Sequence, residues 1–146
     1  MSAIDVGVTI NADPSRVFAL AADIPNVPKF IAAITRIEML TPGPIGAGTR
    51  WRETRRAMGQ EAAVELEISA FDPPRSMTIS GMAMGSRYDT RFEIVPEGGG
   101  TRAEMHVDIT PSGLLARIGA AMSKGMMRKS LKGDLDSLKV AAERAG

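Results

Sequence analysis

Trp51, Glu53 and Arg55 are the first residues of this chain whose types and spacing allow them to act together. In residues 49–56 they share one face of an extended segment with Thr49, and Arg50, Arg52, Thr54 and Arg56 share the other. Three cations assign the second face to solvent. Trp51, Glu53 and Arg55 then point inward, where an unpaired charge is costly. Paired, Glu53 and Arg55 can hold the polar end of a ligand. Desolvated, Glu53 can serve as a general acid or base. Two alternatives stand beside these: a structural ion pair, or an outward turn of the side chains, since a single bulge reverses the parity.

Other chemistries find little support. The chain has no cysteine, which excludes disulfides, thiolate metal sites and thiol nucleophiles together and fits a cytoplasmic setting. His106, the only histidine, shares its strand parity with Arg102, Glu104 and Asp108, which predicts a surface residue and leaves a Ser-His-Asp triad without its base. A metal site would need mostly carboxylates, and the acids show no cluster along the sequence, so neither metal nor cofactor is expected. Gly43, Gly46 and Gly48, and the run Gly98 to Gly100, lack the Gly-Lys-Ser/Thr ending of a phosphate cradle and read as hairpin connections.

The elements that must position these residues follow from periodicity. Residues 4–10 alternate, with Ile4, Val6, Val8 and Ile10 on one face. Asp13-Pro14 then opens a short helix with a cap and a favoured first residue, and a second short helix follows Pro25. Residues 34–40, 48–57, 61–71, 75–81, 86–95 and 101–110 read as strands joined by turn-rich stretches. Their one-sided patterning predicts an antiparallel meander with one covered face. Tyr88, Phe92 and Met105 lie on that face. The cover is a helix from Pro111-Ser112-Gly113 to about Ala142. Its apolar residues, Met122 and Met126 among them, recur at three-, four- and five-residue steps up to Leu131 and Leu135. At about 1.5 Å per residue it is roughly 45 Å long, enough to cross the sheet.

Composition narrows the function classes. A length of 146 residues suits one domain, 1–146, with a real core. The N-terminus lacks the basic start and long apolar run of a signal peptide, and no stretch of about 18 apolar residues provides an integral membrane segment. Net charge is +1 and only six residues are aromatic, so nucleic acid is not an expected partner. Arg117, Lys124, Arg128, Lys129 and Lys132 form a basic run without an acid, read as a solvated helix face or as a site for anionic membrane or an acidic partner. Ten methionines are many for this length. Met105, Met122 and Met126 would make an adaptable wall for an apolar guest, or an ordinary core.

The chain resembles the START-like (SRPBCC) helix-grip superfamily and, within it, the polyketide cyclase/dehydrase-type proteins. The likeness is carried by Val8-Thr-Ile-Asn-Ala-Asp-Pro-Ser-Arg-Val-Phe18, Gly46-Ala-Gly-Thr-Arg-Trp51, Phe71-Asp-Pro-Pro-Arg75, Gly99-Gly-Thr-Arg102 and Leu138-Lys-Val-Ala-Ala-Glu143, in that order. It implies an α+β helix-grip fold: a curved antiparallel sheet of about seven strands around a long C-terminal helix, with two short helices after the first strand. It also implies a cavity for a lipid, sterol or polyketide-like molecule, and a monomer or homodimer. Tyr88, Phe92, Met105, Met122 and Met126 would supply apolar contact, and Trp51, Glu53 and Arg55 the polar end. The rival readings are a cyclase or dehydratase with Glu53 as acid or base, and an interaction module with a filled cavity.

Overall fold

The computed structural model describes residues 2–144. Strand β1 (Ile4–Ile10) leads into helix α1 (Pro14–Ala22) and a short 3-10 helix (Ile24–Lys29). Asp13 caps α1 by accepting from the Ser15 amide, and Pro14 occupies its first turn, as the sequence pattern predicts. Six strands follow: β2 (Ile34–Met39), β3 (Arg50–Ala57), β4 (Gln60–Asp72), β5 (Ser76–Ala83), β6 (Ser86–Glu97) and β7 (Gly100–Pro111). Helix α2 (Leu114–Arg144) closes the chain. The strands form one antiparallel sheet in the order β1-β7-β6-β5-β4-β3-β2. This is the helix-grip architecture, and its first and last neighbours in sequence, β1 and β7, meet at one side.

Two of the tight connections are Met-Gly turns. Met58 and Gly59 join β3 to β4, Met84 and Gly85 join β5 to β6, and all four have positive φ. That backbone matches the twist of a two-residue hairpin, but Asn or Gly is the usual first residue. The pairings Ala57↔Gln60, Ala83↔Ser86 and Ser86↔Pro111 place both turns and the start of α2 at one end of the sheet.

Directly paired residues share a face, so the register defines the concave surface. It carries Ile4 to Ile10 by alternation, Thr101 to Ile109, Ser86 to Ile94, and Trp51, Glu53 and Arg55. The parity inferred for the residues of β3 therefore holds. The bulges fall elsewhere, in β2 next to Ile34 and in β4 next to Ile68. Ile10, Val17, Phe18, Trp51, Ile68 and Phe92 form the core with the last turns of α2.

The helix is held along the β1 edge. Arg128 and Lys132 donate to the Asp5 and Gly7 carbonyls (both 3.0 Å), and Glu143 accepts from the Asn11 amide (2.7 Å). At the C-terminus of α2, Arg16 Nε donates to the Ala142 carbonyl (2.9 Å), a cation placed on the negative end of the helix.

The burial of α2 changes along its length. Leu135, Leu138 and Ala142 are fully packed in the core. Leu115, Ile118, Met122 and Met126 are exposed, while Ala116, Gly119, Ala120, Ser123 and Met127 are half-buried on the other side. The single apolar stripe expected from the sequence is therefore two stripes. The five-residue step from Met126 to Leu131 turns the helix by about 140°, so the earlier residues point away from the sheet.

Candidate functional site: a buried ion network beneath a small-residue helix face

The polar centre of the concave face is built from β3 and closed by α2. Trp51 and Glu53 are buried, two residues apart on one strand, and the indole Nε1–H donates to Glu53 Oε1 (3.3 Å). Arg55, two residues further, donates through Nε to Glu53 Oε2 (2.7 Å). Its guanidinium also forks onto Asp134 of α2, at 3.1 Å to Oδ1 and 2.7 Å to Oδ2. Two carboxylates thus share one guanidinium, and every carboxylate oxygen of the set accepts a hydrogen bond. The bond from Arg55 to Asp134 spans from β3 to the helix, so both sides of the curved sheet hold α2.

The electrostatics follow from this sharing. Burial disfavours the Arg55 cation, but Asp134 and Glu53 together outweigh it and raise the guanidinium's pKa further above its ordinary value. Burial pushes the Asp134 carboxyl up, Arg55 pulls it back, and the Glu53 charge adds to the rise, so the balance lies above the usual carboxylate range. The two partners pull in opposite senses. The two-pronged geometry, with a donor on each Asp134 oxygen, is that of an ionised pair.

Asp134 is absent from the residues that sequence parity singles out. The signal for it was its helical phase. Of the two acids beside Leu135, Asp134 and not Asp136 falls at the helical angle of the stripe Leu131, Leu135 and Leu138. Only the fold shows that this helical turn faces β3.

The other candidates separate. Tyr88 and Met105 stand half-buried on the concave face. Phe92 lies on the same face but is packed into the core, as is Trp51. Met122 and Met126 are not a wall of the space between helix and sheet: they are 82% and 64% exposed on the opposite side of α2. What faces the sheet there is small, namely Ala116, Gly119, Ala120 and Ser123. Opposite them the sheet carries Val6, Leu66, Ile79, Tyr88 and Met105, large side chains that the helix leaves half-covered. Ser86, on the same face, has the one buried side-chain polar atom without a hydrogen-bond partner among the described residues. An open depression of about 530 Å³ lies at the end of this groove, between Met84 and Gly85 of the hairpin turn and Ser112 to Ala116.

His106 lies on the convex face, as its parity predicts, but not among scattered acids. Its Nδ1 meets Asp5 Oδ1 at 2.6 Å, and its Nε2 lies 3.2 Å from Glu93 and 3.4 Å from Glu104. The hydrogen bond to Asp5 is the largest cause raising the imidazole's pKa above its ordinary value, and the same bond lowers that of Asp5. The acids do form a cluster here, contrary to expectation: Glu93, Glu104 and His106 bring ligand-type atoms within 4.8 Å of one another. Register explains it, because Glu93 and Glu104 are direct cross-strand partners, a like-charge pair that needs a cation beside it. His106, Arg91 and Arg102 supply that charge.

Comparison with known proteins agrees with this architecture. A family described as "Polyketide cyclase / dehydrase and lipid transport" matches residues 1–143. The uncharacterized protein MT1597 of Mycobacterium tuberculosis is 21% identical over 148 residues, covering both chains entirely. The di-domain ARO/CYC StfQ from the steffimycin biosynthetic pathway superposes with a TM-score of 0.80 at 10% identity, over 96% of this chain and 50% of that one. The major latex-like protein 151 of Panax ginseng gives 0.78 at 12% identity, over 95% of each chain. At such identities the likeness to solved structures concerns the fold.

Proposed function

The chain belongs to the polyketide cyclase/dehydrase and lipid transport family, and on that premise we propose that it acts as one domain binding a small apolar or amphipathic molecule between the concave sheet and α2. One observation carries the reading: large, half-covered side chains of the sheet face Ala, Gly and Ser on the helix. A close-packed interior would set large residues against small ones only if both surfaces interdigitated fully, leaving none half-covered. The Ser86 hydroxyl and the Arg55 network give the groove a polar side, which suits a ligand with one polar group.

The test is thermal. Fatty acids, sterols and fused-ring aromatics are titrated separately while unfolding is followed by Trp51 emission. A true ligand raises the melting temperature with concentration, by the equivalent of about 2.7 kcal/mol at a hundred times its dissociation constant. Ala120→Phe, which fills the helix side of the groove, should abolish the rise while the protein stays folded. No rise with any class, or a rise that Ala120→Phe leaves intact, would sink the reading.

A cyclase or dehydratase reading has one specific observation in its favour, the presence of two buried carboxylates on a single guanidinium. Both oxygens of Glu53 are engaged within the network. Those of Asp134 are engaged as well, and what singles out Asp134 as the acid–base candidate is burial, which favours its protonated form. Turnover of an added polyketide-like substrate that Asp134→Asn abolishes without loss of binding would establish it.

A further inference from the structure

The apolar side chains that the fold leaves in solvent are not scattered. Leu115, Ile118, Met122 and Met126 run along the outer side of α2 for about 17 Å at the rise of a helix. Met84 and Met58 are 77% and 88% exposed, at the tips of the two Met-Gly turns. Those turns lie at the end of the sheet where α2 begins. Both methionines occupy left-handed positions where Asn or Gly is favoured, so backbone preference does not account for them.

Charge selects what this surface meets. From residue 109 to residue 133 the chain carries five cations and no acid, although its net charge is only +1. Arg128 and Lys132 are turned onto the β1 edge. Arg117 and Lys129, both exposed, form no ion pair among the described residues and stand beside Ile118 and one turn from Met126, whereas Lys124 is half-buried on the inner side of the helix. A second copy pairing through this ridge would bring like charges together. An apolar stripe bordered by free cations is the pattern of a helix lying in an anionic lipid interface. No helix among the described residues is long and apolar enough to cross a membrane, and a surface-lying helix has no need to be.

We infer that the outer face of α2, with the Met58 and Met84 turns, docks on an anionic lipid bilayer and sets the open end of the groove against it. This does not depend on what the groove holds, since the ridge and the groove use opposite sides of the helix.

The experiment is cosedimentation of the full chain with vesicles of phosphatidylcholine alone, and of phosphatidylcholine and phosphatidylglycerol in equal parts. The protein should pellet with the anionic vesicles, and added salt should weaken this. Arg117→Glu combined with Lys129→Glu should lower partitioning by on the order of tenfold or more, given the attraction of each surface cation. Met122→Asp combined with Met126→Asp should abolish it, with Trp51 emission confirming the fold. Thr9→Asp, the same introduced charge on the exposed convex face of β1, should leave it unchanged. The inference fails if the protein ignores anionic vesicles or binds neutral ones equally. It also fails if the double Asp variant still pellets, or if sedimentation shows the ridge buried in a dimer that this variant dissolves.

Discussion

The two halves of α2 share one backbone and differ in almost everything else. From Asp134 onward the helix is locked by Leu135, Leu138 and Ala142 in the core, by Arg55 from β3 and by Arg16 at its end. Before that it presents small residues inward and large ones outward, and its main anchors are the bonds from Arg128 and Lys132 to an exposed strand edge. One half holds the fold together, and the other leaves space beneath it and surface above it. A helix can be gripped firmly at one end and still border an open groove.

The largest effect that tests this division should come from the packed half. Leu135→Ala removes a fully buried side chain and should cost about 3–4 kcal/mol in urea unfolding. Met122→Ala, an equally drastic truncation one face away, should change stability by less than about 0.5 kcal/mol. Similar costs at both positions would erase the contrast.

A smaller effect sharpens the role of the network. Arg55→Met leaves Glu53 and Asp134 as two buried carboxylates without their shared cation, and should cost about 2–3 kcal/mol after allowance for the partial exposure of the guanidinium. Asp134→Leu should cost less, because Arg55 keeps Glu53. Equal losses would show that the helix, and not charge sharing, dominates the site.

The smallest effect lies on the other side of the sheet and depends on pH. His106 has a raised pKa in the folded protein, so its contribution is complete below its unfolded value of about 6.5 and is lost as pH rises through the folded value. The partner Asp5 titrates the other way: lowered in the folded state, it contributes above about 3.8 and loses that contribution as pH falls through its folded value. Urea midpoints taken at closely spaced pH values should therefore decline as pH rises from about 6.5, and His106→Gln should flatten that decline. Variation in the Arg55 network should leave the slope untouched.

The strands were legible because a period of two leaves little choice of face, and alternation fails only at bulges such as that in β4, beyond which Phe71 and not Ala70 turns to the core. The phase of α2 was harder to read. Apolar residues at positions 115, 118, 122 and 126 look continuous with 131, 135 and 138, and only the angle accumulated across the five-residue gap separates them. Asp134 and the acidic cluster at His106 were illegible for a different reason. Each depends on which residue stands opposite on an element far away in the chain, and composition along a single segment carries no such information.

The bonds from Arg128 and Lys132 to the β1 carbonyls have a consequence for the handling of the protein. β1 ends the sheet on one side, and an uncovered outer strand offers its backbone groups to any other extended chain. Two long cationic side chains occupy those acceptors as long as the helix stays down. Whatever lifts α2 away from the sheet, whether ligand passage or partial unfolding, also uncovers a template for strand addition. Aggregation propensity should therefore follow helix detachment more closely than overall melting.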